Sequence, residues 1–135
     1  AVIQNYLVEI HTPILTREMV RLKTMKRLRG LIQACHFGPT LIVSAIAFGF
    51  GTYYWWEGPA YVIAFTVATG QLVVGWSNDL YDYKDDLAHK RTKKPLVSGL
   101  ITPQYLSKWL RFMVPFSFFA NLGLHQYFKI IYTFE

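Results

Sequence analysis

Cysteine is close to absent: Cys35 is the one thiol in 135 residues. That excludes an internal disulfide and any multi-cysteine zinc centre, and it leaves Cys35 to act as a small buried hydrophobe. Charge is also missing over a long interval. No Lys or Arg falls between Gly30 and Tyr83, and Glu57 is the one acid within residues 31–78. Residues 31–56 and 59–78 are uncharged throughout. There is no internal repeat and no low-complexity segment. No cleavable signal peptide is expected, because the first apolar run starts after about thirty residues and is too long for such a segment. The chain opens on Ala rather than Met, so either a processed start or a fragment is expected.

What is present is apolar and aromatic, at 53% and 17% of the residues. A membrane helix needs about 20 predominantly apolar residues to cross a hydrocarbon core of about 30 Å. The expected fold is therefore an all-α, integral membrane helical bundle with about three transmembrane helices, over residues 31–56, 59–83 and 104–127. The third is the shortest in uncharged length, and it holds Pro115, Asn121 and His125. The competing reading is a soluble all-α protein with apolar buried helices. Such helices rarely run this long without a polar face.

Residues 1–30 form a basic lead-in with Arg17, Arg21, Lys23, Lys26, Arg27 and Arg29. Met19, Val20, Leu22, Met25 and Leu28 are interleaved with these charges. Two readings stand: an amphipathic surface helix, or a positive flank that orients the first span. A second basic cluster (Lys84, Lys90, Arg91, Lys93, Lys94, then Lys108 and Arg111) follows the second span, and the intervening turn has no Lys or Arg. The positive-inside rule then puts both ends of the first hairpin in the cytoplasm. Tyr53, Tyr54, Trp55 and Trp56 become an aromatic belt at the far interface. Residues 84–103 are expected as a cytoplasmic loop of a multi-pass cell-membrane protein. The lipid bilayer is the expected surrounding, and no nucleic-acid partner is expected.

The informative stretch is Asn78-Asp79-Leu80-Tyr81-Asp82-Tyr83-Lys84-Asp85-Asp86. On a helix, Asp82 lies about 60° and Asp86 about 20° from Asp79, whereas Asp85 lies about 120° away. Three carboxylates thus share one stripe. Grouped acids repel one another, and a cation among them relieves that repulsion. Magnesium binds through a few carboxylates plus substrate phosphates, so the stripe reads as half of a diphosphate site. Just beyond it, His89, Lys90, Arg91, Thr92, Lys93, Lys94 and Pro95 add cations able to hold phosphate oxygens. A solvated basic loop is the plainer reading of those cations taken alone.

At these residues the chain resembles the UbiA superfamily of intramembrane prenyltransferases. Asn78, Asp79, Asp82 and Asp86 fit that family's first signature, and His89, Arg91, Thr92, Lys94, Pro95, Ser98 and Gly99 fill the order that follows it. Residues 34–40 and 69–71 are similar to the actinobacterial branch. The resemblance covers roughly residues 27–124 and implies part of a nine-helix all-α fold with a large cavity. It implies a magnesium-dependent transferase moving a polyprenyl group from an allylic diphosphate to a small acceptor, often aromatic. Asp79, Asp82 and Asp86 would be catalytic through Mg2+, and Asn78, Arg91 and Lys94 would bind the diphosphate. The family's second aspartate motif has no counterpart, since Glu135 is the one acid after Asp86. A truncated or frame-shifted N-terminal portion, inactive without a C-terminal partner portion, is thus expected.

His36 and Gln71 either line the cavity or make interhelical hydrogen bonds. His125 is expected to pack or to sit at the interface, and Tyr81 and Tyr83 to anchor at the interface. CDP-alcohol phosphotransferases are a rival family, but their Asp-Gly and Ala-Arg steps are missing here. Soluble prenyl diphosphate synthases lack the flanking spans. The alternative of another class is a non-catalytic or vestigial three-helix membrane protein.

Overall fold

The structure, a computed structural model, describes the backbone of residues 2–54 and 58–133 and the side chains of residues 16–54, 59–126 and 129. Trp55, Trp56 and Glu57 of the expected aromatic turn, and the Tyr127 side chain, lie outside the described residues. The described residues form five helices and no strand: α1 Val2–Ala34, α2 Phe37–Tyr54, α3 Gly58–Tyr81, α4 Tyr83–Ala88 and α5 Pro103–Thr133.

The expected first span, residues 31–56, is not one helix. The chain turns at Cys35–His36, and Thr16–Ala34 is bent by 61° from Phe37–Tyr54. The cause is local. A continuous helix would need the residue 39 amide to bond the Cys35 carbonyl, but Pro39 has no amide and its ring clashes there. The Thr40 hydroxyl donates to that carbonyl instead, at 2.8 Å. His36 closes the turn at φ 52, a region that non-glycine residues visit rarely.

Among the described residues, Pro59–Tyr81 of α3 is long and apolar enough to cross a membrane, and the bent pair is the second such stretch if it counts as one span. The expected third span does not meet that criterion, although α5 has the length. Lys108, Arg111, Ser117, Asn121 and His125 dilute its apolar character. The expected loop over residues 84–103 also begins with structure, because α4 continues the helical path one turn beyond α3. The Asp82 amide donates to Asn78 O and the Asp86 amide to Asp82 O, each at 2.8 Å.

The central helix is α3, packed on α2 along one side and on α5 along another. Close approach is allowed by small residues. A Cβ on Gly51 would lie 2.9 Å from Ala60 Cα, and one on Gly75 would lie 2.7 Å from Cys35 O. The buried core is small and sits at one end, built from Leu31, Ala34, Cys35, Trp76, Leu96, Ile101 and Leu106. Trp76 Nε1 donates to Leu31 O at 3.0 Å. Elsewhere large apolar side chains are exposed on every long helix, among them Leu41, Ile46 and Phe50 on α2 and Tyr61 and Phe65 on α3.

Candidate anion and metal site

The polar site lies against the small core, where α3 passes into α4 and the chain folds back. Asp79 sits in the last turn of α3 and Asp86 in α4, and both are buried. Lys90 at φ 52 reverses the chain after α4, and the Arg91 amide donates to Asp86 O at 2.9 Å. This return brings the basic segment over the acids. Lys94 Nζ donates to Asp79 Oδ1 at 2.6 Å and lies 3.8 Å from Asp86 Oδ2. Arg91 Nη1 donates to Asp86 Oδ1 at 2.7 Å and reaches Asp85 Oδ2 at 3.5 Å. The hydrogen bond to Asp86 holds the Arg91 guanidinium pKa above its ordinary value, so it stays charged at any working pH.

His36 completes the group from the other side. The α1–α2 turn places its Nε2 at 3.6 Å from Asp79 Oδ1. Asp79 Oδ2 is buried and has no hydrogen-bond partner. Above these groups opens a cleft of about 660 Å3, walled by His36, Lys90, Arg91, Lys93 and Lys94 together with Gln33, Thr92 and Pro95. Five of these side chains can carry positive charge, so the cleft suits an anion.

Of the residues expected at the site, Asp79, Asp86, Arg91, Lys94 and His36 are brought together. Asp82 is half-buried in the α3–α4 turn and makes no ion pair among the described residues. Asn78 is exposed. Gln71 lies eight residues before Asp79 on α3, about 12 Å along the axis, and stands apart from the cluster. Asp85, at the surface, pairs with His89 Nδ1 at 3.2 Å as well as with Arg91 Nη1 at 3.5 Å. Sequence reasoning missed Gln33 as a wall residue. Its signal was its place three residues before His36, at the end of α1.

Among the described residues, no group of three or more His, Cys, Asp or Glu side chains is placed to hold a metal ion. The donor chemistry of the Asp79–Asp86 pair nevertheless suits a hard divalent cation, because both are oxygen donors and Asp79 Oδ2 is without a partner. The Lys94 ammonium takes the role of counter-ion between them. Compared with known proteins, the chain matches no family model, no curated protein and no solved structure.

Proposed function

We propose that this chain is a membrane-embedded helical unit whose cleft binds the diphosphate of an allylic polyprenyl substrate, as the donor side of a prenyl-transfer reaction. The observation that carries the reading is the stacking of charge at one helix end. Buried Asp79 and Asp86 lie beneath a cleft lined with cations, and Lys94 joins the two layers. An anion with several oxygens fits above, and a divalent cation suits the acids below. A diphosphate that carries its own magnesium satisfies both layers.

Membrane placement is supported by exposure. The apolar window of α3 is only 28% buried, and α2 and α5 also present large apolar side chains. A monomer in water rarely shows contiguous apolar surface on that scale. In this reading the basic residues around the cleft support a cytoplasmic position for that end, by the positive-inside rule, within a multi-pass arrangement.

In this reading Arg91 and Lys93 bind phosphate oxygens and Lys94 moves between carboxylate and diphosphate. Asp79 and Asp86 would hold Mg2+, which would supply neutralisation of the charge that develops on a leaving diphosphate. His36 orients Asp79. The acceptor would meet the allylic carbon on the apolar side of the cleft.

The test is equilibrium binding of farnesyl diphosphate to the detergent-solubilised chain, with and without Mg2+. Binding is expected to tighten with Mg2+ in the natural protein, and the Asp79→Asn and Asp86→Asn variants should lose that increment. An increment that survives both substitutions overturns the reading. A second reading, a non-catalytic membrane protein that keeps the cleft, is favoured by the lack, among the described residues, of three acid, His or Cys side chains placed to hold a metal ion. Prenyl transfer to an aromatic acceptor by this chain alone excludes it.

A further inference from the structure

The basic helix α1 carries charge that the Asp79 cleft does not use. Lys23, Lys26 and Arg27 share one side of α1 with Gly30, by the three- and four-residue spacing of a helix. Gly30 sets how closely this side docks. A Cβ there would lie 2.5 Å from Ile101 Cγ2, so α1 rests directly on the 99–102 turn. Gly99 forms that turn at φ 71. The Arg27 guanidinium lies over the Tyr105 ring, 4.9 Å from its centroid.

These parts enclose a second cleft, of about 230 Å3, between Lys23, Lys26 and Arg27 on one side and Leu100, Thr102 and Tyr105 on the other. It shares no wall residue with the first cleft. Among the described residues no carboxylate pairs with any of its three cations, and the ion pair found on α1 is Arg21 with Glu18 at 3.9 Å. The Thr102 hydroxyl accepts the Tyr105 amide at 3.2 Å and keeps its own proton to donate. Three uncompensated cations and a hydroxyl donor call for a compact anion with several oxygens. The volume is below the roughly 300 Å3 of a small-ligand site, so it admits a head group and not a whole lipid.

A second observation says what is attached to that head group. From Tyr105 an aromatic strip descends α5, with Tyr105–Trp109 ring centroids at 6.4 Å, Trp109–Phe112 at 6.4 Å and Phe112–Phe116 at 6.0 Å. Trp109, Phe112 and Phe116 are exposed. The strip runs over residues 105–116, about 16 Å of helix, which matches one leaflet of a hydrocarbon core about 30 Å thick. A cationic cup that opens onto an apolar track of one leaflet's depth has the shape of a lipid.

We propose that Lys23, Lys26 and Arg27 cup the phosphate of an anionic phospholipid whose acyl chain lies along Tyr105, Trp109, Phe112 and Phe116. The phosphate pocket stands independently of the prenyl-transfer reading, while the lipid source rests on the membrane placement of α5. Basic pockets beside membrane helices on the cytoplasmic side favour anionic head groups in this way.

The experiment uses the whole chain in mixed micelles, with phosphatidylglycerol brominated on its acyl chains as a quencher of tryptophan fluorescence. The Trp109 signal is isolated by difference from Trp109→Phe. Saturable quenching is expected from the brominated phosphatidylglycerol and only weak quenching from brominated phosphatidylcholine. The triple variant K23Q/K26Q/R27Q should shift the half-point roughly a hundredfold, from about 1 kcal/mol per basic residue near a charged surface. The control R17Q/R21Q/R29Q removes equal charge from the same helix and should shift it no more than about threefold. Inorganic phosphate should compete only at far higher concentration than the lipid. Equal quenching by the two lipids, or equal shifts in the two triple variants, overturns the proposal. Competition by inorganic phosphate at the lipid's own concentration would make this a free-phosphate site and overturn the lipid assignment.

Discussion

Lys94 Nζ lies 2.6 Å from Oδ1 of Asp79 and 3.8 Å from Oδ2 of Asp86, so one ammonium serves two carboxylates that are fifteen and eight residues upstream. Removing one partner of a buried pair leaves the other charge uncompensated. Lys94→Met should destabilise the fold by about 2–4 kcal/mol, toward the low side of buried pairs because Lys94 keeps some exposure. Thermal unfolding in detergent checks this. Adding Asp79→Asn to that variant should recover part of the loss.

The same geometry predicts a competition. If Lys94 is the internal counter-ion of the acid pair, Lys94→Met should raise the affinity for Mn2+ in the absence of any diphosphate. Paramagnetic resonance of free Mn2+ reads this without any turnover. Equal affinity in the natural protein and the variant would show that the ammonium and the metal do not share the site.

Arg91 bonds Asp86 through Nη1 and lines the cleft. Arg91→Gln should weaken diphosphate binding by about 1.5–3 kcal/mol, the usual scale for hydrogen bonds to charged groups. Titration calorimetry measures it. Because its bond to Asp86 keeps the guanidinium pKa high, alkaline pH should not reproduce the effect.

Gly75 holds α3 against the α1–α2 turn. Gly75→Ala places a Cβ 2.7–2.8 Å from Cys35 backbone atoms, and backbone cannot step aside as a flexible side chain can. Overpacking of this kind costs about 1–3 kcal/mol. Gly49→Ala meets nothing within 4 Å and should stabilise its helix by about 0.5–1 kcal/mol. Paired unfolding measurements that fail to separate the two would remove the close contact from the account.

How far the sequence discloses this arrangement depends on the range of the interaction. The acid stripe, the apolar α3 and the helical class follow from spacing and composition, which act within one or two turns. The break at Cys35–His36 was also local, and Pro39 four residues after Cys35 was its visible cause. What spacing leaves out is the fold-back after Lys90. It seats Lys94 on Asp79 and Arg91 on Asp86 and leaves Asp82 without an ion pair among the described residues. The unpartnered Asp79 Oδ2 and the docking of Gly30 on Ile101 are tertiary facts with no periodic signature.

The turn at His36 has a mechanical consequence. The Cys35 carbonyl is held by Thr40 of α2, and Leu31 O, one turn earlier on α1, is held by Trp76 of α3, so the elbow is tied to both α2 and α3. A change in the direction of α1 would therefore be expected to move the imidazole that lies 3.6 Å from Asp79 Oδ1. What α1 rests on outside the site and how His36 stands within it become settings of a single joint.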